Sequence, residues 1–526
     1  MKQLRILNQC LKLFGTGKDR RRYQEIGFKK IIKATTGRVN MATGTGKTIL
    51  AAVVALYNLL LNRNKFQVIV VQAPVIILTY QLMMEFVKVF SKVKMDLVTL
   101  FTHSGSKANN EAWETLKSDW LRNTGRPLYD AGATLNEEMI KQRVLEAKEH
   151  DIPVLILSTY KSAGRLGKIL KSIGVVPEVV INDESHYLVS EQNSELNEVR
   201  EKDEEDITDE DRLNASGFPG RKRYFFTATE LHGSSDDGLG LNNRKKYGRI
   251  LYRYTATQAI KDGWLTPVWG GCLTVQGMVK KVQNKKVMGR FVKFAYEQMS
   301  KLNKQKNKAK AKILIKANGS KQLKWVLESK ETQELIDSGV NVLVIGSKVG
   351  QWINGEQIPH RSNWLSKAQE IGADPDKPMI IVHLQIIAEG FNVPGLNTFI
   401  PMSVMSAIKA IQNIGRILRP APGKTTAIVA VPGFSLFSDA SAKFKKLIER
   451  LISEYGWPGF DVFDDYLDPS VDQDDKDELP LPKKKKRDTN PLSEHIEDLK
   501  YETWRKRAEN KSNLQKLKQL EKLYGN

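Results

Sequence analysis

The chain of 526 residues contains only two cysteines, Cys10 and Cys272. Two thiols are too few for the disulfide framework of a small secreted protein or for a cysteine zinc site, and their scarcity is typical of a reducing compartment. A membrane span is also missing, because the apolar run at residues 66–86 is interrupted by polar residues and by Pro74. The sequence therefore predicts a cytoplasmic protein that makes no contact with a membrane.

Acidic residues are outnumbered as well, with 60 Asp and Glu against 82 Lys and Arg and a formal net charge of +22. An excess of this size indicates a polyanionic partner and says nothing about the fold. Nucleic acid is the natural candidate. The alternative is that lysine-rich surfaces serve solubility alone.

The most informative segment that is present is the glycine-rich run at residues 41–48, which precedes an apolar helical pattern. A turn of this kind points backbone N–H groups and the positive end of a helix dipole at one anion. Lys47 can reach the outer phosphates of a nucleotide, and the Thr48 hydroxyl can bind Mg²⁺. The strict phosphate-loop pattern has Gly where this chain has Met41, so a chance turn is the alternative. The residues expected to bind ATP here are Thr43, Gly44, Thr45, Gly46, Lys47 and Thr48.

Two acidic residues follow the apolar strand pattern that ends at Ile181. Asp183 and Glu184 are expected at the carboxyl end of a parallel strand, where open sheets bind their ligands. Asp183 is placed to hold Mg²⁺ through water, and Glu184 to orient or deprotonate the attacking water. Without the phosphate loop upstream, a pair of capping acids in a loop is the simpler interpretation.

Two arginines in the second half, Arg416 and Arg419, are three positions apart, so on a helix they share one face. Pro420 is expected to end that helix. Two guanidinium groups directed at one site suit phosphoryl transfer, whose transition state spreads charge over the equatorial oxygens. The alternative is an amphipathic helix whose arginines face solvent.

Apolar strand patterns alternate with helical patterns in both halves of the chain, which predicts two parallel sheets with crossover helices. The fold class expected is α/β, with two tandem RecA-like lobes and a helical, charged C-terminal region. The strands expected are Gln67–Val71, Met95–Phe101, Pro153–Ser158, Val176–Ile181 and Arg223–Thr227, then Val340–Gly346, Pro378–His383, Thr398–Pro401 and Thr425–Val431.

Changes of composition divide the chain into a first lobe at 1–255, a second lobe at 256–435 and a C-terminal region at 436–526. We expect a solvated acidic insertion at about 190–220 and a lysine-rich insertion at about 277–335. The lysine-rich run is as compatible with a solvated surface as with phosphate contact. The C-terminal region combines two helical patterns with an acidic linker and a basic tail, and it is a candidate docking segment for a protein partner. Those two patterns lie at 440–455 and 493–524.

Taken in this order, the segments resemble the superfamily 2 helicases and translocases over residues 23–432. The resemblance implies that Gln24 reads the adenine and that Gly390 and Gln412 belong to the fifth and sixth motifs. It assigns coupling of hydrolysis to movement to His186, Thr227 and Thr229. The positions that it assigns to contact with the nucleic-acid backbone are Ala73, Pro74, Ser158, Thr159 and Tyr160.

Residues 159–162, 259–267 and 412–420 are more similar to restriction-enzyme motor subunits and to phage and bacterial repair helicases than to DEAD-box RNA helicases. This resemblance implies an ATP-dependent DNA helicase or translocase that acts on branched or duplex DNA and at single-strand junctions. Its setting would be replication, recombination or repair in a bacterial or phage-infected cell. A motor subunit of a restriction or nuclease complex, and an RNA helicase, are the alternatives.

Overall fold

The chain forms two compact units, Met1–Thr255 and Ala256–Asn526. Across the part of the chain that is described, no helix combines the length and the apolar character that a membrane crossing requires. The computed structural model describes residues 2–63, 65–74, 79, 82–83, 85–86, 89–93, 96–103, 121, 128–130, 136–189, 208–228, 240–275, 285–346, 348–359, 361–384, 393–402, 407–432, 459–465 and 508–509.

The first unit is a parallel sheet with helices. Its helices are α1 (Lys2–Leu11), α2 (Arg22–Ile31), α3 (Lys47–Leu61), α4 (Glu137–Glu149), α5 (Ala163–Ser172), α6 (Asp209–Ser216) and α7 (Arg244–Tyr247), with short 3₁₀ turns at Lys12–Phe14, Gly17–Asp19, Tyr160–Ser162 and Ser185–Leu188. Its strands are β1 (Thr36–Met41), β2 (Val68–Ala73), β3 (Val98–Thr102), β4 (Leu128–Asp130), β5 (Val154–Thr159), β6 (Val179–Asn182), β7 (Lys222–Thr227) and β8 (Arg249–Tyr254).

The strands of this sheet run in the order β4-β3-β5-β2-β6-β7-β1-β8, and every neighbouring pair is parallel. All six residues of β2 and all six of β5 are buried. Strands covered on both faces need apolar side chains at consecutive positions, and each of these strands begins with four consecutive apolar residues, at 68–71 and 154–157. The sheet order also brings the carboxyl ends of β1, β6 and β7 to one edge, where the candidate site lies.

The second unit contains a larger, mixed sheet. Its helices are α8 (Ala256–Lys261), α9 (Lys285–Lys306), α10 (Ser320–Glu328), α11 (Lys330–Asp337), α12 (Arg361–Ala373) and α13 (Ala407–Ile417). Its strands are β9 (Val268–Val275), β10 (Lys312–Lys316), β11 (Asn341–Gly346), β12 (Gly350–Ile353), β13 (Glu356–Gln357), β14 (Met379–His383), β15 (Thr398–Pro401), β16 (Ala427–Pro432), β17 (Gly459–Asp465) and β18 (Ala508–Glu509).

The second sheet has the order β13-β12-β11-β14-β10-β15-β16-β9-β17-β18. Its central strands are parallel, and antiparallel pairing is confined to β11–β12–β13 at one edge and β17–β18 at the other. Helices α9, α10 and α11 pack against one another, and α9 and α10 supply core residues together with β10, β11 and β14. Two mostly parallel sheets with helices confirm the expected α/β fold class.

The lysine-rich segment expected as an insertion at about 277–335 is described from residue 285 onward, and over residues 285–335 the expectation of an insertion was wrong. It supplies α9, α10 and β10, and β10 lies between β14 and β15 inside the second sheet. Lys312 and Lys316 begin and end this strand, yet both are buried, and Lys312 Nζ donates to the backbone oxygen of Asp374 at 2.6 Å. This hydrogen bond offsets part of the cost of burying the Lys312 ammonium group.

The acidic segment expected as a surface insertion at about 190–220 is described only from residue 208 onward. Residues 190–207 lie outside the described residues. The rest includes α6, which begins with a capping box between Thr208 and Asp211 and packs against α5 and the Tyr160–Ser162 turn. A reciprocal cap of this kind favours a helix even where the sequence is acidic.

The described parts of the C-terminal region form strands, which the sequence did not predict there. Residues 459–465, expected within an acidic linker, form β17 and pair in parallel with β9. Within the pattern expected as a terminal helix, residues 508–509 form β18 beside β17. The open edge of β9 provides a hydrogen-bonding partner that local composition does not reveal. The helical patterns at 440–455 and at the rest of 493–524 lie outside the described residues.

Candidate nucleotide site

The candidate site begins at the carboxyl end of β1, where the glycine-rich loop leads into α3. Gly44 and Gly46 have φ values of 87° and 79°, a left-handed conformation that side chains disfavour. A Cβ atom on Gly46 would also collide with the amide of Gln24. Helix α3 starts at Lys47, so its first N–H groups and its dipole face the loop. The chain thus builds the anion-binding geometry despite Met41.

Two residues of α2 donate hydrogen bonds to backbone oxygens of this loop. The Gln24 side chain is fully buried, and its Nε2 donates to the backbone oxygens of Thr45 and Gly46 at 3.0 and 3.1 Å. The Tyr23 hydroxyl donates to the same Thr45 oxygen at 2.9 Å, and its ring stacks on Tyr254 with 4.2 Å between centroids. Gln24 is the residue that the resemblance assigns to the adenine, whereas the only signal for Tyr23 in the sequence is its place beside Gln24.

Asp183 and Glu184, which we call the acidic box, follow β6. In the sheet, β7 lies between β6 and β1. Asp183 is buried, and its Oδ1 accepts the Glu184 N–H at 3.0 Å. Glu184 has φ +47°, which is uncommon for a residue with a side chain and often marks a functional site. Its Oε1 lies 3.4 Å from Lys47 Nζ. The structure therefore brings the lysine of the loop and the carboxylate of the box together.

His186 and Thr227 complete this cluster. His186 Nδ1 lies 3.4 Å from Glu184 Oε2 and 3.1 Å from the Thr227 hydroxyl at the end of β7. Burial lowers the pKa of His186 to about 4, against the opposing effect of the Glu184 charge. The imidazole is therefore neutral at pH 7, and it links Glu184 to Thr227 by polar contacts rather than by an ion pair.

Asp183 is affected by burial in the opposite direction. Burial first, and then the negative charge of Glu184, raise the pKa of Asp183 to about 7, while Lys47 opposes the increase. Two adjacent carboxyl groups in a buried place favour a cation between or beside them. Oxygen donors from Asp183 and Thr48 are the kind of ligand that Mg²⁺ prefers. These residues therefore fit a magnesium ion bound with a nucleotide.

The loop also fits the nucleotide itself. The buried Oε1 of Gln24 and Oγ1 of Thr43 have no hydrogen-bond partner among the described residues. Buried polar atoms are normally paired, so atoms of this kind in the glycine-rich loop and on the helix beside it indicate a place for a polar ligand. Both belong to residues expected to bind ATP.

In the second unit, Gln412 and Arg416 lie on α13, but Arg419 does not. Helix α13 ends at Ile417, so the expectation that the two arginines share a helix face was wrong. Pro420 disfavours a helical conformation at the residue before it, which explains why the helix stops short of Arg419. All three side chains are partly buried.

Lys424, which sequence analysis missed, holds the end of this segment. Its buried Nζ donates to the backbone oxygens of Leu396 and Arg419 at 2.7 Å each, and to that of Ile417. Burial, followed by the Arg419 charge, lowers the pKa of Lys424 to about 7. In its protonated form, lysine Nζ has three N–H donors, and here each one bonds to a carbonyl that the end of a helix or a loop leaves unpaired.

We expect Lys424→Met to destabilise the second unit by about 2–5 kcal/mol, because it leaves several carbonyls buried and unsatisfied. The free energy of unfolding can be measured by chemical denaturation. Lys308→Met is the matched control, because Lys308 lies on the neighbouring segment with an exposed side chain, and a change within about 0.5 kcal/mol is expected. Equal effects of the two substitutions would contradict a role for the buried hydrogen bonds.

The five positions assigned to the nucleic-acid backbone lie at strand ends of the first unit, at or just after the carboxyl ends of β2 and β5. All of their side chains are buried. The Thr159 hydroxyl is hydrogen-bonded to that of Ser162 at 3.0 Å, and the Tyr160 hydroxyl donates to the backbone oxygen of Asp183 at 2.5 Å. Gly390 and Thr229 lie outside the described residues.

Residues 17–210 match the family described as type III restriction enzyme, res subunit. This range includes Gln24, the phosphate loop and the acidic box. A comparison with curated protein sequences gives no match. The family match covers the part of the first unit in which the contacts described above are concentrated.

Solved structures share the fold at low sequence identity. The chain is similar to the ATP-dependent type ISP restriction-modification enzyme LlaBIII bound to DNA, with 16% identity and a TM-score of 0.60, over 86% of this chain and 32% of that one. It is also similar to a nuclease-deletion mutant of the type ISP enzyme LlaGI in complex with a DNA substrate mimic, with 18% identity and a TM-score of 0.50, over 78% of this chain and 27% of that one. The chain thus spans about a third of the length of the first enzyme and about a quarter of the second. The shared fold agrees with the α/β class that the sequence predicts.

Proposed function

We propose that this chain, a superfamily 2 helicase in fold, is an ATP-driven motor that translocates on DNA. The observation that supports this most strongly is the 3.4 Å contact between Lys47 and Glu184. A lysine that can bind phosphate and a carboxylate that can activate water lie at one edge of the sheet, so a single nucleotide can reach both. The net charge of +22 suits the polyanionic partner.

In the proposed reaction, the N–H groups of the loop and Lys47 bind the phosphates of ATP, and Gln24 reads the adenine. Glu184 orients the attacking water and accepts its proton. A magnesium ion held by Thr48 and Asp183 would neutralise charge on the phosphate oxygens. We propose that the first lobe, residues 1–255, contains all of these ATP-binding residues.

The second lobe, 256–435, is proposed to contribute positive charge. Arg416 and Arg419 stabilise the charge that develops on the transferred phosphoryl group, and Gln412 belongs to the same motif. His186 and Thr227 are proposed to couple ATP hydrolysis at Glu184 to movement of the segments that bind DNA. Contacts to the DNA backbone carry no sequence information, so binding is expected to be independent of sequence.

The function is tested by ATP hydrolysis in the presence of single-stranded DNA, duplex DNA or RNA of equal length. We expect DNA to stimulate hydrolysis and RNA to stimulate it far less. Because binding releases counterions, the DNA concentration for half-maximal stimulation should rise by about tenfold or more between 50 and 200 mM salt. Stimulation by RNA alone would favour the RNA helicase alternative, and no stimulation by either would contradict a motor.

The DNA structure on which the motor acts is proposed to be a branch or a junction of duplex and single strand. An unwinding assay on a panel of linear duplexes, forks and four-way junctions tests this point. Equal rates on all members of the panel would instead favour translocation along duplex DNA without a preference for branches. Such an outcome would leave a role in recombination or repair without support.

A second candidate is the motor part of a restriction complex, favoured by the match of residues 17–210 to a restriction subunit. The C-terminal region is the proposed docking segment for the partner. Affinity capture can compare the full chain with a chain that ends after Asp465, which retains β17 as a strand of the second sheet. Loss of a captured nuclease or methyltransferase on truncation would favour this candidate.

A further inference from the structure

Tyr160 occupies a position between two parts of the first unit. It begins the 3₁₀ turn that follows β5, and its side chain is fully buried. In the sheet, β2 lies between β5 and β6, so the Tyr160 hydroxyl reaches past β2 to the residue after β6. There it donates to the backbone oxygen of Asp183 at 2.5 Å. Burial, followed by the charges of Asp183 and Glu184, raises the pKa of Tyr160 well above its usual value, so the hydroxyl keeps its proton.

This hydrogen bond acts on the peptide that joins Asp183 to Glu184. The Asp183 N–H already donates to the backbone oxygen of Gln72 on β2 at 2.8 Å. The Glu184 N–H donates to the Asp183 carboxylate at 3.0 Å. With the Tyr160 hydroxyl on the Asp183 oxygen, both polar groups of the peptide before Glu184 are therefore fixed.

The orientation of that peptide decides where the Glu184 side chain lies. Glu184 has φ +47°, a conformation that a residue with a side chain keeps only when its surroundings enforce it. In that conformation its carboxylate lies 3.4 Å from Lys47 and 3.4 Å from His186. Release of the Asp183 oxygen would allow the peptide to rotate and the Glu184 carboxylate to leave Lys47.

We propose that Tyr160 is a positioning residue whose hydroxyl fixes the Asp183–Glu184 peptide, so that the Glu184 carboxylate is held for its reaction with water. The proposal rests on the proposed function of the chain as an ATPase. It replaces the role in DNA contact that the sequence indicated for Tyr160, because a fully buried hydroxyl donating to a backbone oxygen is not available to a phosphate.

Tyr160→Phe tests this by removing only the hydroxyl. Tyr224→Phe is the matched control, because Tyr224 is also fully buried in the first unit and its hydroxyl donates to the backbone oxygen of Ala34 at 2.7 Å. Both substitutions remove one hydrogen bond to a carbonyl and should lower the thermal unfolding midpoint by similar amounts. Only Tyr160→Phe should lower kcat for ATP hydrolysis at saturating DNA, by about tenfold to a hundredfold.

Two further readouts separate positioning from contact with DNA. A positioning residue predicts that KM for ATP and the DNA concentration for half-maximal stimulation stay within about twofold of the unmodified chain. An unchanged kcat, or a loss equal to that of Tyr224→Phe, would overturn the proposal and leave the proposed function intact. A raised DNA requirement with normal kcat would restore DNA contact as the role. No hydrolysis by the unmodified chain would overturn both proposals.

Discussion

Glu184→Gln is expected to lower the rate of ATP hydrolysis by about 10²- to 10⁴-fold while ATP binding is retained. The amide keeps the size of the carboxylate but replaces one acceptor oxygen with an NH2 donor, and it cannot accept the proton of the attacking water. The loop residues and Lys47, which are proposed to bind the phosphates, are unchanged. Removing the carboxylate that lies 3.4 Å from Lys47 also frees the lysine for a phosphate, so ATP affinity should stay equal or increase.

The measurement is steady-state hydrolysis at saturating DNA, together with the equilibrium affinity for a fluorescent ATP analogue. Glu178→Gln is a matched control, because Glu178 belongs to the same unit and its Oε1 lies 3.3 Å from Lys222 Nζ. This control removes a comparable ion pair away from the loop, and its hydrolysis rate should stay within about twofold. Near-normal turnover of Glu184→Gln would show that another group activates the water.

The strands that sequence analysis placed well share one physical property. Val154–Thr159 and Thr398–Pro401 are buried at every position, so their sequences are short apolar runs bounded by polar residues. The expected and observed limits of the first differ by one residue at each end, and those of the second agree. Parallel strands that are covered on both faces can be recognised from their apolar composition alone, without knowledge of the helices that pack on them.

The strands that were missed owe their place to partners elsewhere in the chain. β10 carries lysines at both ends, and the hydrogen bond from Lys312 to the backbone oxygen of Asp374 helps to explain why Lys312 can be buried. β17 is rich in aspartate and was taken for a linker, yet it completes a ladder with β9. The partner of Lys312 is 62 positions away in the sequence, and the partner strand of β17 is more than a hundred positions away. Local composition carries no information about partners at such separations.

The same division holds for the candidate site. Lys47, Glu184, His186 and Thr227 were named from local motifs, and the folded chain places them in one cluster. Their distances depend on the sheet order, which the motifs do not encode. Tyr160 and Lys424 act through backbone oxygens, and a backbone oxygen has no signature in a sequence. Residues of this kind can be recognised only from the folded structure.

Arg419→Ala is expected to lower kcat for ATP hydrolysis by about 10²- to 10³-fold, with ATP binding retained. Positive charge from a guanidinium group matters most when charge develops on the transferred phosphoryl group, so its loss should affect the reaction more than the affinity. The residue is held in place by the Lys424 hydrogen bond to its backbone oxygen at 2.7 Å, and this bond does not depend on the side chain. The substitution should therefore leave the local backbone unchanged.

The control is Lys301→Ala, which removes the same charge from an exposed position on α9 in the second unit. Its kcat and its thermal unfolding midpoint should match those of the unmodified chain, because an exposed lysine contributes little to either. The ATP affinity of Arg419→Ala, measured with the same fluorescent analogue, should stay within about threefold. Weakened ATP binding with a normal kcat would show that Arg419 holds the ground state of the nucleotide and does not act on the reacting phosphate.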